Sequence, residues 1–314
     1  MKIRRVLAIA VLVATAMVPA AGSAKTFRES FQMLQYTPSR VWRETSWIPF
    51  ALPDPIDRAY RYRIGSRTFV GPWIPASVSR GSASEALAEV SYGGVIVDRP
   101  LTALEKSRFK TLADLYRDAD VLVVAAGHPA CAGLSRAQAR SIATGGITAW
   151  SQVVAGATSD AIKVRYPIDG FGNGVPHLGA RWVSKLNKQR VNYPPGAVGA
   201  ADGGVSAAAA GDQAIAAITT WARVRTRRAG LCVIPLDGVA PTDATVVGLQ
   251  YPEAFPVSYV VTSKLDGRTA SGRALTAVMR RAMKTHLTSE RLKGMLRGQG
   301  LLVVGDPLPT SVEG

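Results

Sequence analysis

The sequence predicts an α/β protein of two lobes built on largely parallel sheets, and three observations predict it. Short continuous apolar runs alternate with amphipathic stretches of helical length. The apolar runs end in tight turns rich in Gly, Asp and Pro. The chain is also 314 residues long, more than one hydrophobic core usually organises. With 47% hydrophobic residues it has ample material to bury, which excludes a disordered chain. Its 30 Gly and 19 Pro follow no collagen-like period.

The elements follow in order. Gly94 to Val97 reads as a buried strand ending in the turn Asp98-Arg99-Pro100. Leu101 to Tyr116 carries helical spacing, with Leu101, Leu104, Phe109, Leu112 and Leu115 apolar. Val121 to Ala126 is a β-branched apolar run of the kind covered on both faces. Ser135 and Gln138 form a capping box for a helix that Gly145-Gly146 stops. Ile162 to Tyr166 is a strand before the turn Asp169 to Gly174, and a helix is expected through Trp182 and Leu186. Val205 to Ala222 is Ala-rich, Val257 to Thr262 is a strand, and Ser271 to His286 is an amphipathic helix. Leu301 to Val304 is a last short strand.

Met1 to Ala24 has the layout of a secretory signal peptide: Lys2, Arg4 and Arg5, then the apolar run Val6 to Val18, then small residues at Gly22 to Ala24. The apolar run is shorter than the ~18 residues a membrane span needs. No second run of that length follows, so the mature protein is expected to be periplasmic or secreted and not membrane-spanning. Export alters the meaning of the charge, formally +16 from 38 Lys+Arg against 22 Asp+Glu. Removing the three signal cations leaves a basic protein that meets envelope polyanions and anionic solutes rather than nucleic acid. The basic clusters, such as Arg223 to Arg228, lack the interleaved aromatics of a nucleic-acid platform. Export also places Cys131 and Cys232 in an oxidising compartment, either as a disulfide or as two buried thiols. A bond between them would close a loop of about 100 residues, stabilising by at most about 4–5 kcal/mol on chain-entropy grounds.

Enzyme readings fall away first. The chain has no G-x-S-x-G elbow and no P-loop, and His128, His177 and His286 lack metal-ligand spacing. No catalytic residue, metal or cofactor is expected. A binding role fits better, because ligands in α/β sheets sit at strand-to-helix junctions rich in free N–H groups. Ser82 and Ser84 open a helix, either as caps or as anion contacts. Asp98 and Arg99 could orient a partly protonated oxyanion, the carboxylate accepting its proton and the guanidinium neutralising its charge, or could form a turn pair. The loop Gly170 to Gly174, with Gly172, Asn173 and Gly174, lets backbone approach a ligand.

From about residue 75 onward these stretches, in order, resemble the phosphate-binding-protein-like family of periplasmic solute receptors for ABC transporters. Gly81-Ser82 is similar to the family's G-S-G-x helix start, and Gly94 to Leu101 to its strand ending in S-D or S-R-P-L. Gly133-Leu-Ser135 and Gly145-Gly-Ile-Thr-Ala-Trp-Ser151 are close to its G-L-T and G-K-I-T-N-W-S signatures. Ala214 to Ile218, Asp237 to Thr242 and Tyr251-Pro252 resemble its G-A-I-G-Y, D-G-V-x-P-T and Y-P segments. The resemblance implies a two-lobed type II periplasmic binding protein fold with two crossover strands. Lobe 1 would hold residues 25–121 and 258–314, and lobe 2 residues 122–257. It further implies capture of phosphate or a related small oxyanion, with an ABC permease as partner. Asp98 falls where relatives place a carboxylate that accepts a phosphate proton. Thr45 and Ser46 are nearest to the family's opening G-S-x-T-x-x-P loop, though the glycine is missing. The family's R-x-x-G-S-G-T anion loop is matched by Asp169 to Val175, which puts a carboxylate where a cation should face the ligand. That departure sustains an alternative: an envelope interaction module that kept the fold, lost small-anion binding and takes a polyanion or a protein partner.

Overall fold

The computed structural model describes residues 26–28, 31–48, 60–64, 67–71, 73–80, 82–89, 94–157, 161–168, 174–175, 177–180, 193–264 and 270–307. The segment Met1 to Ala24 read as a signal peptide, Asp169, Gly172, Asn173 and the helix expected through Trp182 and Leu186 lie outside these residues. The strands before the midpoint are β1 Thr26–Arg28, β2 Phe31–Pro38, β3 Tyr60–Ile64, β4 Arg67–Gly71, β5 Trp73–Arg80, β6 Gly94–Val97 and β7 Phe109–Ala125. Those after it are β8 Lys163–Pro167, β9 Val198–Ala200, β10 Ile215–Thr220, β11 Leu231–Val233, β12 Ala254–Thr262 and β13 Leu302–Val303. The first helices are α1 Trp42–Thr45, α2 Ala83–Glu89, α3 Ala103–Arg108 and α4 Arg136–Thr144. They are followed by α5 Val205–Ala209, α6 Trp221–Val224, α7 Asp243–Val247, α8 Ala270–Leu287 and α9 Glu290–Gly298.

The main sheet runs β5-β2-β6-β12-β7-β10-β8-β9, with β11 and β13 also paired to β7, while β1, β4 and β3 form a small separate sheet. Its flanks are parallel, as expected: β5, β2 and β6 on one side and β10, β8 and β9 on the other. The centre is antiparallel, because β7 and β12 run in opposite senses and each meets a flank head to tail. The sheet is therefore mixed rather than largely parallel. Strand β7 pairs with β12 over Phe109 to Ala119 and then with β10 and β11 from Asp120 onward. The crossing lies at Asp120, whose N–H donates to the Glu253 carbonyl at 3.1 Å.

Strand β7 corrects one sequence expectation. The apolar spacing of Leu101 to Tyr116 predicts one helix, yet only Ala103–Arg108 is helical, and Leu104 is 75% exposed. From Phe109 the chain enters a 17-residue strand that buries Phe109, Ala113, Leu115 and Tyr116. Pairing with β12 satisfies most of the backbone ladder there, interrupted by bulges at Leu112 and Leu115, and outweighs a local helical period. Other expectations hold. Ser135 and Gln138 cap α4 reciprocally, and Gly145 ends it at φ 82°, a conformation glycine adopts without a Cβ clash. The helix expected over Ser271 to His286 appears as α8.

Among the described residues three apolar clusters form the core. One surrounds the far half of β7 with β10 and α4, around fully buried Trp150 and Trp221. A second packs Tyr116, Val257 and Tyr259 under α8 and α9. A third seats α2 on Val95, Val97 and Val260. The crossing of β7 and β12 lies where these bodies meet, and the charged groups described next collect there.

Candidate ligand site

Arg40 organises the crossing. It follows β2 in a single 3-10 turn, Ser39–Val41, which aims its guanidinium at the end of β6 and the interior of β7. Its Nε donates to Asp98 Oδ2 at 2.8 Å, and one terminal nitrogen donates to the Asp98 carbonyl at 2.8 Å. The other donates to Asp120 Oδ2 at 3.1 Å. The guanidinium plane also rests on the Phe255 ring, 3.8 Å from its centre. Burial opposes the charge of Arg40, but Asp98 and Asp120 overcome it and hold the guanidinium protonated.

Asp120 is only 1% exposed at its side chain and is the most heavily partnered carboxylate of the group. Besides Arg40 it meets Nδ1 of buried His177 and accepts the Leu178 N–H at 3.1 Å. Burial alone would raise its pKa. His177 and Arg40 outweigh burial and bring the carboxyl down to about 2. With Asp120 ionised, His177 Nδ1 is the donor of their contact. Two residues back, Asp118 is equally buried and has no cation. It accepts the N–H groups of Ala119 at 2.8 Å and Ala222 at 3.0 Å, and burial pushes its carboxyl up to about 7.

Further charges rim the crossing. Glu253 accepts from Arg136 and Arg140, both at 2.6 Å. Arg223 reaches Glu44 at 3.0 Å, tying α6 to α1. Among the described residues no cluster of His, Cys, Asp and Glu is placed to hold a metal ion, and no helix is long and apolar enough to cross a membrane.

The sequence-selected residues divide into those at this crossing and those elsewhere. Asp98 is there, but its guanidinium partner is Arg40, 58 residues upstream, and not the adjacent Arg99. Arg99 turns away, gripping both oxygens of Glu105 at 2.7 Å and donating to Ser84 Oγ at 3.0 Å. Ser82 caps α2, its Oγ accepting the Glu85 N–H at 3.2 Å. Thr45 is fully buried; its hydroxyl donates to the Val41 carbonyl at 2.6 Å and its own carbonyl accepts from Gln35. Ser46 follows it, half-buried. Gly174 is buried and bridges to Ile168, which folds the end of its loop back onto β8. Gly172 and Asn173 fall outside the described residues. Cys131 and Cys232 are joined as a disulfide, Cα–Cα 6.0 Å, tying the turn Pro129–Ala132 to β11.

Sequence reasoning missed Arg40, Asp120 and His177. Asp120 carried a usable signal, since Asp118 and Asp120 directly precede the apolar run Val121 to Ala126 and a charge entering a buried strand needs a partner. Arg40 carried none, because its partners lie 58 and 80 residues away.

No family model matches the chain, and no curated protein matches it. Solved structures do. An ABC-type phosphate transport receptor from Vibrio cholerae superposes with TM-score 0.56 at 15% identity, covering 87% of this chain and 99% of that one. A possible phosphate binding protein from Planctomyces limnophilus gives TM-score 0.62 at 14% identity over 88% and 93%. PstS from Borrelia burgdorferi gives 0.52 at 13% over 87% and 99%. At these identities the likeness is one of fold. The type II periplasmic binding architecture expected from the motif order is the architecture present.

Proposed function

We propose that the protein is an exported solute receptor that holds a small oxyanion of the phosphate type at the β7–β12 crossing and delivers it to an ABC permease. It acts without catalysis or cofactor. In this reading residues 25–121 with 258–314 form one lobe and residues 122–257 the other, closing about the crossing strands. The observation that carries the proposal is the contact of Arg40 with Asp98. A monoprotonated oxyanion supplies an acceptor oxygen for the guanidinium and a proton for the carboxylate, so one ligand matches both groups. A fully deprotonated anion of similar size leaves Asp98 facing negative charge and is rejected. Ser82, Gly172, Asn173 and Gly174 are the hydrogen-bonding positions that the family resemblance adds to that reading. Isothermal titration of the mature protein with phosphate and with sulfate tests it. Phosphate is expected to bind at micromolar affinity or tighter, with sulfate far weaker. Absence of heat and of thermal shift with every oxyanion tried overturns it.

One observation favours a second reading. Arg40 is already satisfied by Asp98 and Asp120 at 2.8 and 3.1 Å, so the crossing closes on itself without a ligand. An envelope interaction module of this fold would bind acidic polymers through its arginines, with strong salt dependence and no loss in Asp98→Ala.

A further inference from the structure

On the opposite face of the sheet from Arg40 lies a pocket of about 410 Å³. Alternation along β12 separates the two: Phe255 and Val257 pack toward the Arg40 side, whereas Pro256 and Ser258 line the pocket. The same holds at the end of β6, where Val97 lines the pocket and Asp98 turns to Arg40.

Four cations line this pocket: Arg99, Lys106, Lys110 and Arg117. Arg99 is fixed in place by Glu105, which is itself anchored by the Thr102 N–H at 2.8 Å. The other three have no carboxylate within ion-pair distance among the described residues. Arg117 reaches only the Tyr116 carbonyl, at 3.3 Å. The lining holds a single carboxylate, Asp114, which accepts from the Ser258 hydroxyl at 2.6 Å. Against Asp114 and Glu105 the four cations leave a net positive charge, above a floor that includes Val97, Phe109 and Pro256. Arg99 and Arg117 are half-buried beside this apolar floor and attract an anion more strongly than they would in open water, while exposed Lys106 and Lys110 add charge at the rim. The volume exceeds what a single monatomic ion fills, since a water occupies about 30 Å³.

From this arrangement we infer a second anion site, for a phosphate-bearing group carrying more than one negative charge or an attached apolar moiety. It is independent of the crossing and of the solute that binds there. The shared chemistry is the phosphate group, and it can arrive free in solution or on a lipid. Leu104, 75% exposed, stands two residues from Lys106, and Leu249 in the pocket wall is 41% exposed, so apolar contact is available at the rim.

The test uses the mature protein and the double variant Lys106→Glu/Lys110→Glu. Both side chains are exposed and without carboxylate partners, so the variant is expected to fold, and its thermal midpoint checks this. Pyrophosphate is titrated at low salt, and co-sedimentation is run with vesicles of phosphatidylcholine alone or mixed with phosphatidylglycerol. Binding of pyrophosphate that weakens about tenfold or more in the folded variant supports a free-anion source. Selective sedimentation with phosphatidylglycerol vesicles that the variant loses supports a lipid headgroup. No binding in either arm, or binding that the variant retains in full, overturns the proposal.

Discussion

Asp118 and Asp120 stand two residues apart on β7, share one side of the strand and are both buried, yet the protein drives them in opposite directions. Asp120 lies on the Arg40 side of the crossing and is brought down to about 2. Asp118 faces the start of α6 and is raised to about 7. Burial is the largest influence on both and cannot account for the difference. The partners do: Arg40 and His177 reach Asp120, whereas Asp118 has two backbone N–H groups and the like charge of Glu44 nearby. Two N–H donors do not offset full desolvation of a carboxylate, but a guanidinium and an imidazole do. The same strand therefore carries one carboxylate built to remain charged and one poised to take a proton near neutrality.

The largest expected effect comes from removing what distinguishes them. Arg40→Ala leaves Asp98 and Asp120 without their guanidinium in a buried setting and should cost about 3–5 kcal/mol in urea unfolding. Its cost should shrink on acidification, since protonating Asp120 removes a buried negative charge that Arg40 no longer offsets. A cost below 1 kcal/mol at pH 7 would mean that water or the Arg136–Arg140 pair replaces Arg40. Next in size, Asp120→Asn should cost about 2–3 kcal/mol at pH 7. Because Asp120 sits below its ordinary value of about 3.9, its contribution is complete above that value and is lost as pH falls toward 2. Wild type and variant should therefore converge in stability at the acid end of that window, measured by urea midpoints across pH.

How much of this was legible in the sequence depends on the range of the interactions involved. The capping box of Ser135 and Gln138 is fixed by residues three apart, and it appears as read; the strand at Gly94 to Val97 also appears, because a short run of apolar β-branched residues suits a buried central strand whichever partners the fold supplies. The order of motifs also conveyed the type II periplasmic binding architecture, because each motif encodes a local strand-to-helix or turn junction. The helix read through Phe109 to Tyr116 failed because its partner, β12, lies more than 100 residues later, and a short apolar period fits either structure. The site failed for the same reason. Arg99 was chosen beside Asp98 on proximity in sequence, but it is committed to Glu105, six residues on, while Arg40 arrives through the fold. The turn at Asp98 was legible because it ends a strand; the guanidinium that reaches it was not.

Asp118→Asn sharpens the comparison with the opposite sign. A carboxyl raised to about 7 makes the folded state bind its proton more tightly than the unfolded chain does. Stability is then highest below about pH 4, falls as pH climbs from about 4 to about 7, and carries the whole penalty above 7. An Asn carbonyl still accepts from Ala119 and Ala222, and no charge is buried. The variant is expected to be more stable than wild type at pH 8, by on the order of 2 kcal/mol, with the advantage vanishing near pH 4. A variant less stable at pH 8 would show that Asp118 has a cationic partner on opening of the crossing.

The smallest effect isolates the like charge. Glu44 adds to the elevation of Asp118, but by less than burial does, and it is itself held by Arg223 at 3.0 Å. Glu44→Gln keeps a carbonyl for Arg223 and removes the negative charge facing Asp118. The Asp118 midpoint, followed by its side-chain carbonyl carbon signal in NMR, should fall by about half a pH unit while that of Asp120 remains in place. The Asp120 end is insulated because Arg40 and His177 already dominate its field. A fall of two units or more at Asp118 would make Glu44, rather than burial, the source of its elevation. The contrast along β7 would then be between a carboxylate facing cations and one facing another carboxylate.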